Sequence, residues 1–141
     1  MIYFLKFNIN DIIFAVPIDE INEVARPKKI LKKRKLARHF TGFIELRKEN
    51  VPVFDLHEFF GLEESEKFEV IIFRINKKNI AIKVDKVSGI ITAEELQSYP
   101  EFIKHDSYLK GVIIQDENVV QVLSLIKLMS GQRLKAIKKY L

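Results

Sequence analysis

Apolar positions in this chain come in short runs separated by polar turns, the pattern of a β-rich protein. Ile2–Phe7 and Ile12–Val16 are β-branched and aromatic and flank the turn formers Asn8, Asn10 and Asp11, which predicts a hairpin. Phe43–Leu46 and Val51–Phe54 predict a second one, around Arg47-Lys48-Glu49-Asn50. Glu69–Ile75 with Ile80–Val84, and Val112–Ile114 with Val119–Leu123, predict two more. The run Val70-Ile71-Ile72-Phe73 does not alternate with polar residues and predicts a strand covered on both faces. Short helices are expected at Asp19–Val24, with Asp19 as cap, and at Leu56–Phe60, closed by Gly61. The tail from Leu123 to Leu141 carries apolar residues at helical spacing.

The pattern occurs twice. Phe7-Asn8-Ile9-Asn10 stands 66 positions before Phe73-Arg74-Ile75-Asn76, and the register runs on through Ala15/Ala81, Val16/Ile82 and Asp19/Asp85. Gly42-Phe43-Ile44 stands 69 positions before Gly111-Val112-Ile113, and this register continues through Val51/Val120, Val53/Val122 and Leu56/Leu125. Two blocks repeated in the same order divide the chain into related halves, about 1–66 and 67–141, joined by the polar stretch Leu62–Lys67. Exchange of strands between the halves stays open. Four or five short strands per half are too few for an open sheet. Closing each set into a small barrel removes the exposed edges, and packing the two barrels together leaves a groove at the waist.

Length and composition fit this reading. The 141 residues make one ordinary domain, and 48% hydrophobic residues can fill its core. No apolar run approaches the roughly 20 residues of a membrane span, and the N-terminus lacks the layout of a secretion signal, so a cytoplasmic location is expected. The absence of cysteine excludes disulfides and thiolate metal sites. The net charge of +5 is concentrated in Lys28, Lys29, Lys32, Lys33, Arg34, Lys35 and Arg38, with Arg133, Lys135, Lys138 and Lys139 near the end. The Lys28–Arg38 segment reads as a charged connecting loop, open to solvent or to an acidic partner, with Lys32, Lys33, Arg34, Lys35 and Arg38 as its contacts. The alternative is a nucleic-acid-binding barrel. Only His39 and Phe40 in this stretch could stack on bases, and Phe40 is expected in the core. The C-terminal basic residues read as one face of an amphipathic helix packed on the barrel, with membrane-surface binding as the second reading.

Candidate chemistry is sparse. His39, His57 and His105 are isolated and read as satisfied surface histidines, with no metal-pair spacing and no carboxylate cluster. No serine sits in a nucleophile context, and the five glycines form no phosphate-cradling loop. Asp19 and Asp85, equivalent in the repeat, suggest a structural cap or turn. No enzyme activity, cofactor or metal is expected.

Several segments together resemble the CheW family. They are Leu5-Lys6-Phe7 with Phe14-Ala15-Val16-Pro17-Ile18, Ile21-Asn22-Glu23-Val24, Gly42-Phe43-Ile44-Glu45-Leu46-Arg47 with Val51-Pro52-Val53-Phe54-Asp55-Leu56, and Val84-Asp85-Lys86-Val87-Ser88-Gly89-Ile90. Pro100-Glu101-Phe102, Tyr108–Gly111 and Val119–Met129 follow in order, so the resemblance covers nearly the whole chain. It implies two pseudo-symmetric SH3-like five-stranded barrels around a shared core. It also implies a scaffold that couples methyl-accepting chemoreceptors to the regulatory domain of a CheA-type histidine kinase. By position, Ile21, Glu23, Val24, Gly42 and Arg47 become candidates for receptor and kinase contact, with Val84, Val87 and Gly89 from the second barrel. Ile21, Val24, Val84 and Val87 read equally well as core. Arg47 is the best candidate, being a charged group in a turn between apolar strands. Two departures from the family pattern carry expectations. Where the family usually has Asn-Leu-Arg-Gly, this chain has Glu45-Leu46-Arg47-Lys48; loss of the glycine predicts a hairpin of different shape, and Glu45 is placed to pair with Arg47 or Lys48. The usually proline-containing connecting loop is here basic.

Overall fold

The computed structural model describes residues 1–32, 36–99, 106–129 and 131–138. The first part of the chain forms β1 (Ile2–Ile9), β2 (Ile12–Pro17), β3 (Glu23–Ala25), β4 (Leu31–Lys32), β5 (Phe40–Leu46), β6 (Glu49–Asp55) and α1 (Leu56–Phe60). The second forms β7 (Glu69–Ile75), β8 (Lys78–Val84), β9 (Lys86–Ala93), β10 (Leu109–Gln115), β11 (Asn118–Leu123), α2 (Leu125–Leu128) and α3 (Gln132–Ile137).

The strands build two sheets, in the orders β10-β11-β2-β1-β9 and β3-β7-β8-β6-β5-β4. Without β4 and read in reverse, the second order is the first with every strand replaced by its counterpart in the repeat. Each sheet is antiparallel except at one joint, β11 on β2 and β6 on β8. The joints share a register: Val122 faces Ala15 in one and Val53 faces Ala81 in the other, which are the pairs that the sequence offsets relate. The place of β4 is taken in the first sheet by a single bridge, Gln97 to Val112. Hairpin β1–β2 thus completes the sheet that holds β9–β11, and β7–β8 completes the sheet that holds β3–β6.

The core obeys the same symmetry. Phe4, Ala15, Ile113, Val120 and Val122 fill the first barrel, and their counterparts Val70, Ala81, Ile44, Val51 and Val53 fill the second. A third cluster lies between the barrels and draws on both: Phe7 and Phe14 with Phe54, Ile71, Phe73, Ile82, Leu123 and Met129. The unbroken run Val70–Phe73 is fully buried because β7 faces its own barrel on one side and this shared cluster on the other. Phe40 joins the shared cluster.

Four expectations need correction. Asp19–Val24 is not a helix: one 3₁₀ turn, Ile18–Glu20, leads into β3, where Glu23–Ala25 pair with Val70–Ile72 and the turn has no side-chain cap. A strand partner for these backbone groups outweighs the helical pattern. The tail breaks into α2 and α3 around Gly131 at φ 68°, with residues 130 and 139–141 outside the described set. The hairpin at Arg47 keeps a tight shape without glycine. Leu46 pairs with Glu49, and Arg47 and Lys48 take φ values of 47° and 66°. Asn76-Lys77 and Asp116-Glu117 make the same two-residue turn, because the mirror-image geometry matches the twist of the paired strands and tertiary pairing imposes it. Finally, His57 is no surface histidine but fully buried.

Candidate partner-binding surface

The β5–β6 turn projects Arg47 toward β3, where its guanidinium grips Glu23. Nη2 donates to Oε1 at 2.5 Å and Nη1 donates to Oε2 at 3.2 Å. The hydrogen bond from Arg47 holds the Glu23 carboxyl below its usual range. Arg47 therefore pairs with Glu23 rather than with Glu45. This is geometric: side chains alternate along β5, whereas the curl of the sheet brings the turn tip to β3, the strand at its opposite edge. The pair sits in solvent, with the Arg47 side chain 69% exposed. Ile21 and Val24 beside it, and Val87 on β9, are half-buried and pack on the shared cluster. Gly89 is exposed on β9. Ile21, Val24 and Val87 therefore lie where the two barrels meet, whereas Glu23, next to Val24 on β3, turns to the other face of the strand.

Two candidates lie below the surface. Val84 is fully buried in the shared cluster. Gly42 is buried under β4, where a Cβ would come within 2.3 Å of the Leu31 carbonyl oxygen. Gly111, its counterpart, faces the Gln97 carbonyl in the same way, at 2.7 Å. Glycine is needed at both places because the backbone paired alongside, β4 next to β5 and the Gln97 bridge next to β10, stands where a side chain would go. In the basic segment Lys28, Lys29 and Lys32 are exposed and Arg38 lies beside Phe40; Lys33, Arg34 and Lys35 fall outside the described residues, as does His105.

A charged cluster that sequence patterns did not reveal lies where the chain passes from one sheet to the other. Asp55 caps α1, accepting from the backbone N–H groups of His57 and Glu58. His57 lies between two carboxylates, with Nδ1 at 3.1 Å from Asp55 Oδ1 and Nε2 against Asp85. Asp85 also accepts from the Asn10 backbone N–H at 2.7 Å, and its own N–H donates to the Asn8 carbonyl. Lys83 reaches both Asp55, at 3.5 Å, and Glu64. Burial opposes charge on His57, but the hydrogen bonds and negative charges of Asp55 and Asp85 outweigh it and raise its pKa. Burial likewise opposes charge on Asp55, and the bonds from His57 and Glu64 with the Lys83 charge hold its carboxyl well below the usual range. The visible hint was Lys83, a charge inside the apolar run Ile80–Val84; nothing along the chain showed that His57 would meet Asp85.

Asp55, His57 and Glu64 bring ligand atoms within 4.8 Å of one another, the arrangement of a small metal site. The donors do not fit that role here. Both nitrogens of His57 are committed to carboxylates, and the Lys83 ammonium already bridges Asp55 and Glu64. The cluster is a buried ion network that ties the first sheet, through Asn8 and Asn10, to the second.

Two barrels fused through a common core, with half-buried apolar residues at their joint and an exposed ion pair at the β5–β6 turn, define a two-barrel β scaffold. A family model described as the CheW-like domain matches residues 3–133, and the chain belongs to that family of chemotaxis scaffolds and adaptors. It is 22% identical over 144 residues to the chemotaxis protein CheW of Treponema pallidum, covering 94% of this chain and 85% of the relative. With the Thermotoga maritima chemotaxis protein CheW it shares 28% over 129 residues, covering 88% and 85%. The crystal structure of the scaffolding protein TtCheW from Thermoanaerobacter tengcongensis superposes with a TM-score of 0.79 at 23% identity, covering 93% of this chain and 89% of that one, which shows the double SH3-like fold. Among the described residues no helix is long and apolar enough to cross a membrane.

Proposed function

We propose that this chain couples methyl-accepting chemoreceptors to a CheA-type histidine kinase, as a non-enzymatic scaffold in the cytoplasm, held at receptor arrays through its partners. The observation that carries the reading is the exposed Arg47 at the β5–β6 turn, held by Glu23 on β3, in a chain that matches the CheW-like domain over residues 3–133. A fixed, exposed arginine is among the side chains that protein interfaces favour at their centres. Glu23 occupies two N–H groups of the guanidinium and leaves others for a partner carbonyl or carboxylate. The contacts expected are small and transient, below about 1,200 Å² with micromolar affinity. Reconstitution with a receptor cytoplasmic fragment and a CheA-type kinase tests the proposal. Kinase stimulation that needs all three components supports it; failure of this chain to bind either protein overturns it.

A further inference from the structure

A second surface lies at the seam between the sheets, sharing no lining residue with the Glu23–Arg47 rim. We propose that this cleft, of about 730 Å³, docks an acidic peptide segment of a partner protein through Lys28, Lys67 and Lys86. Its walls come from Asn8 on β1, Lys86 at the start of β9, the junction Ser65–Phe68 and the stretch that follows β3.

The internal repeat supplies the control. Another cleft, of about 600 Å³, opens on the opposite barrel and is lined by Met1, Ile2, Tyr3, Asp19 and Glu20. Each stands 66 positions before Lys67, Phe68, Glu69, Asp85 and Lys86, so the same hollow occurs twice. The hollow belongs to the fold, but Lys67 and Lys86 do not belong to the hollow: Met1 and Glu20 hold their places, and the one lysine of the second cleft, Lys110, stands where the other half has Thr41, outside the first cleft's lining. The basic lining therefore has no structural duty that the other barrel shares.

Two of the three acids in the basic cleft are already engaged. Glu69 accepts from Arg26 and from the Val87 backbone N–H at 2.6 Å. Asp85 accepts from His57 and from the Asn10 backbone N–H. Among the described residues no ion pair engages Lys28, Lys67 or Lys86, all exposed, and Glu66 is the one lining acid without a cation partner. Three free ammonium groups facing one carboxylate leave the cleft positive, and Lys28 opens the basic segment that continues to Lys29 and Lys32. The chemistry favours a peptide over a nucleic acid. Single strands need stacking faces, but the ring of Phe68 is half-buried and covered by Lys83, 5.8 Å from its centroid. A continuous phosphate chain would also meet Glu66, whereas a peptide can set its carboxylates at the lysines one by one.

Fluorescence anisotropy on the full chain tests this with three labelled probes: a short peptide of alternating Glu and Ala, its Gln counterpart, and an oligothymidylate. The Glu peptide should bind and the Gln peptide should not. K28Q/K67Q/K86Q should weaken the Glu peptide by about tenfold or more and flatten its salt dependence, while the charge-matched K78Q/K110Q/K135Q weakens it less than about twofold. On the unaltered protein, the peptide should shift the amide resonances of Asn8 and Phe68. Equal weakening by the two triple variants, equal binding of the Gln peptide, unmoved Asn8 and Phe68 resonances, or tighter binding of the oligothymidylate that is lost in the cleft variant would each overturn the proposal. None of these results touches the coupling role, which is read at the other surface.

Discussion

Arg47 and His57 both lie against carboxylates, yet their surroundings assign them opposite duties. Arg47 lies in water, where an ion pair adds little to stability, so Arg47→Ala should leave the thermal midpoint nearly unchanged while weakening kinase coupling. The charge swap Glu23→Arg/Arg47→Glu separates pairing from contact: restored coupling would mean that the pair matters, and continued loss that the guanidinium itself touches the partner. His57 lies in the interior, where removing it strands two carboxylates. His57→Phe should cost about 3 kcal/mol in urea denaturation, at the low end for breaking a buried ion pair because Asp55 keeps Lys83 and Asp85 keeps Asn10. The pH dependence has a definite sign. The raised His57 pKa means that its stabilisation is complete below about pH 6.5 and is lost as pH climbs through the higher folded value. Unfolding free energy measured from pH 6 to 9 should decline on that limb, and His57→Phe should flatten the decline. The lowered Asp55 pKa gives the reverse limb: its contribution is present at neutral pH and is lost in acid below the usual carboxylate range.

At the scale of elements, turns and crossings carry the instructive departures. A sequence without glycine at positions 47 and 48 discourages a mirror-image turn, yet the turn forms because β5 and β6 pair along their full length. Its two left-handed residues carry a strain of order 1 kcal/mol each, so Lys48→Gly should raise stability modestly, read as a higher urea midpoint. The close pairing of β4 with β5 behaves oppositely. Gly42→Ala should destabilise by about 1–3 kcal/mol and disturb β4, and by more than Gly111→Ala, because the new methyl group meets the Leu31 carbonyl oxygen at 2.3 Å against 2.7 Å for Gln97. The expected Asp19–Val24 helix failed for a related reason. Ile21 and Val24 are spaced for a helix, but the open edge of β7 offers this segment hydrogen bonds that a single isolated turn cannot match.

For the molecule as a whole, neither sheet is complete without a hairpin from the other half of the chain. Residues 1–66 or 67–141 expressed alone should therefore lack dispersed amide resonances, and mixing the two should restore a folded spectrum. A folded fragment would show that each half closes on itself. The exchange also places the shared cluster and the His57 network on the joint between the barrels, so the half-buried Ile21, Val24 and Val87 are held from beneath by packed and ion-paired groups.

The order of apolar and polar residues determined the strands, the twofold repeat and the interiors of the two barrels, since burial on one or both faces leaves a periodic mark along the chain. Ala15 pairs with Ala81, and Val53 with Val122, by their spacing along the chain alone, because repeated packing demands repeated side chains. Tertiary structure alone decided which hairpin enters which sheet, that Arg47 reaches Glu23, that Val84 and Gly42 lie below the surface, and that His57 closes on Asp85. Each of these depends on contacts between residues distant in sequence, and such contacts leave no periodic trace: a charged side chain reads the same whether it will face water, an ion partner or the seam between two barrels.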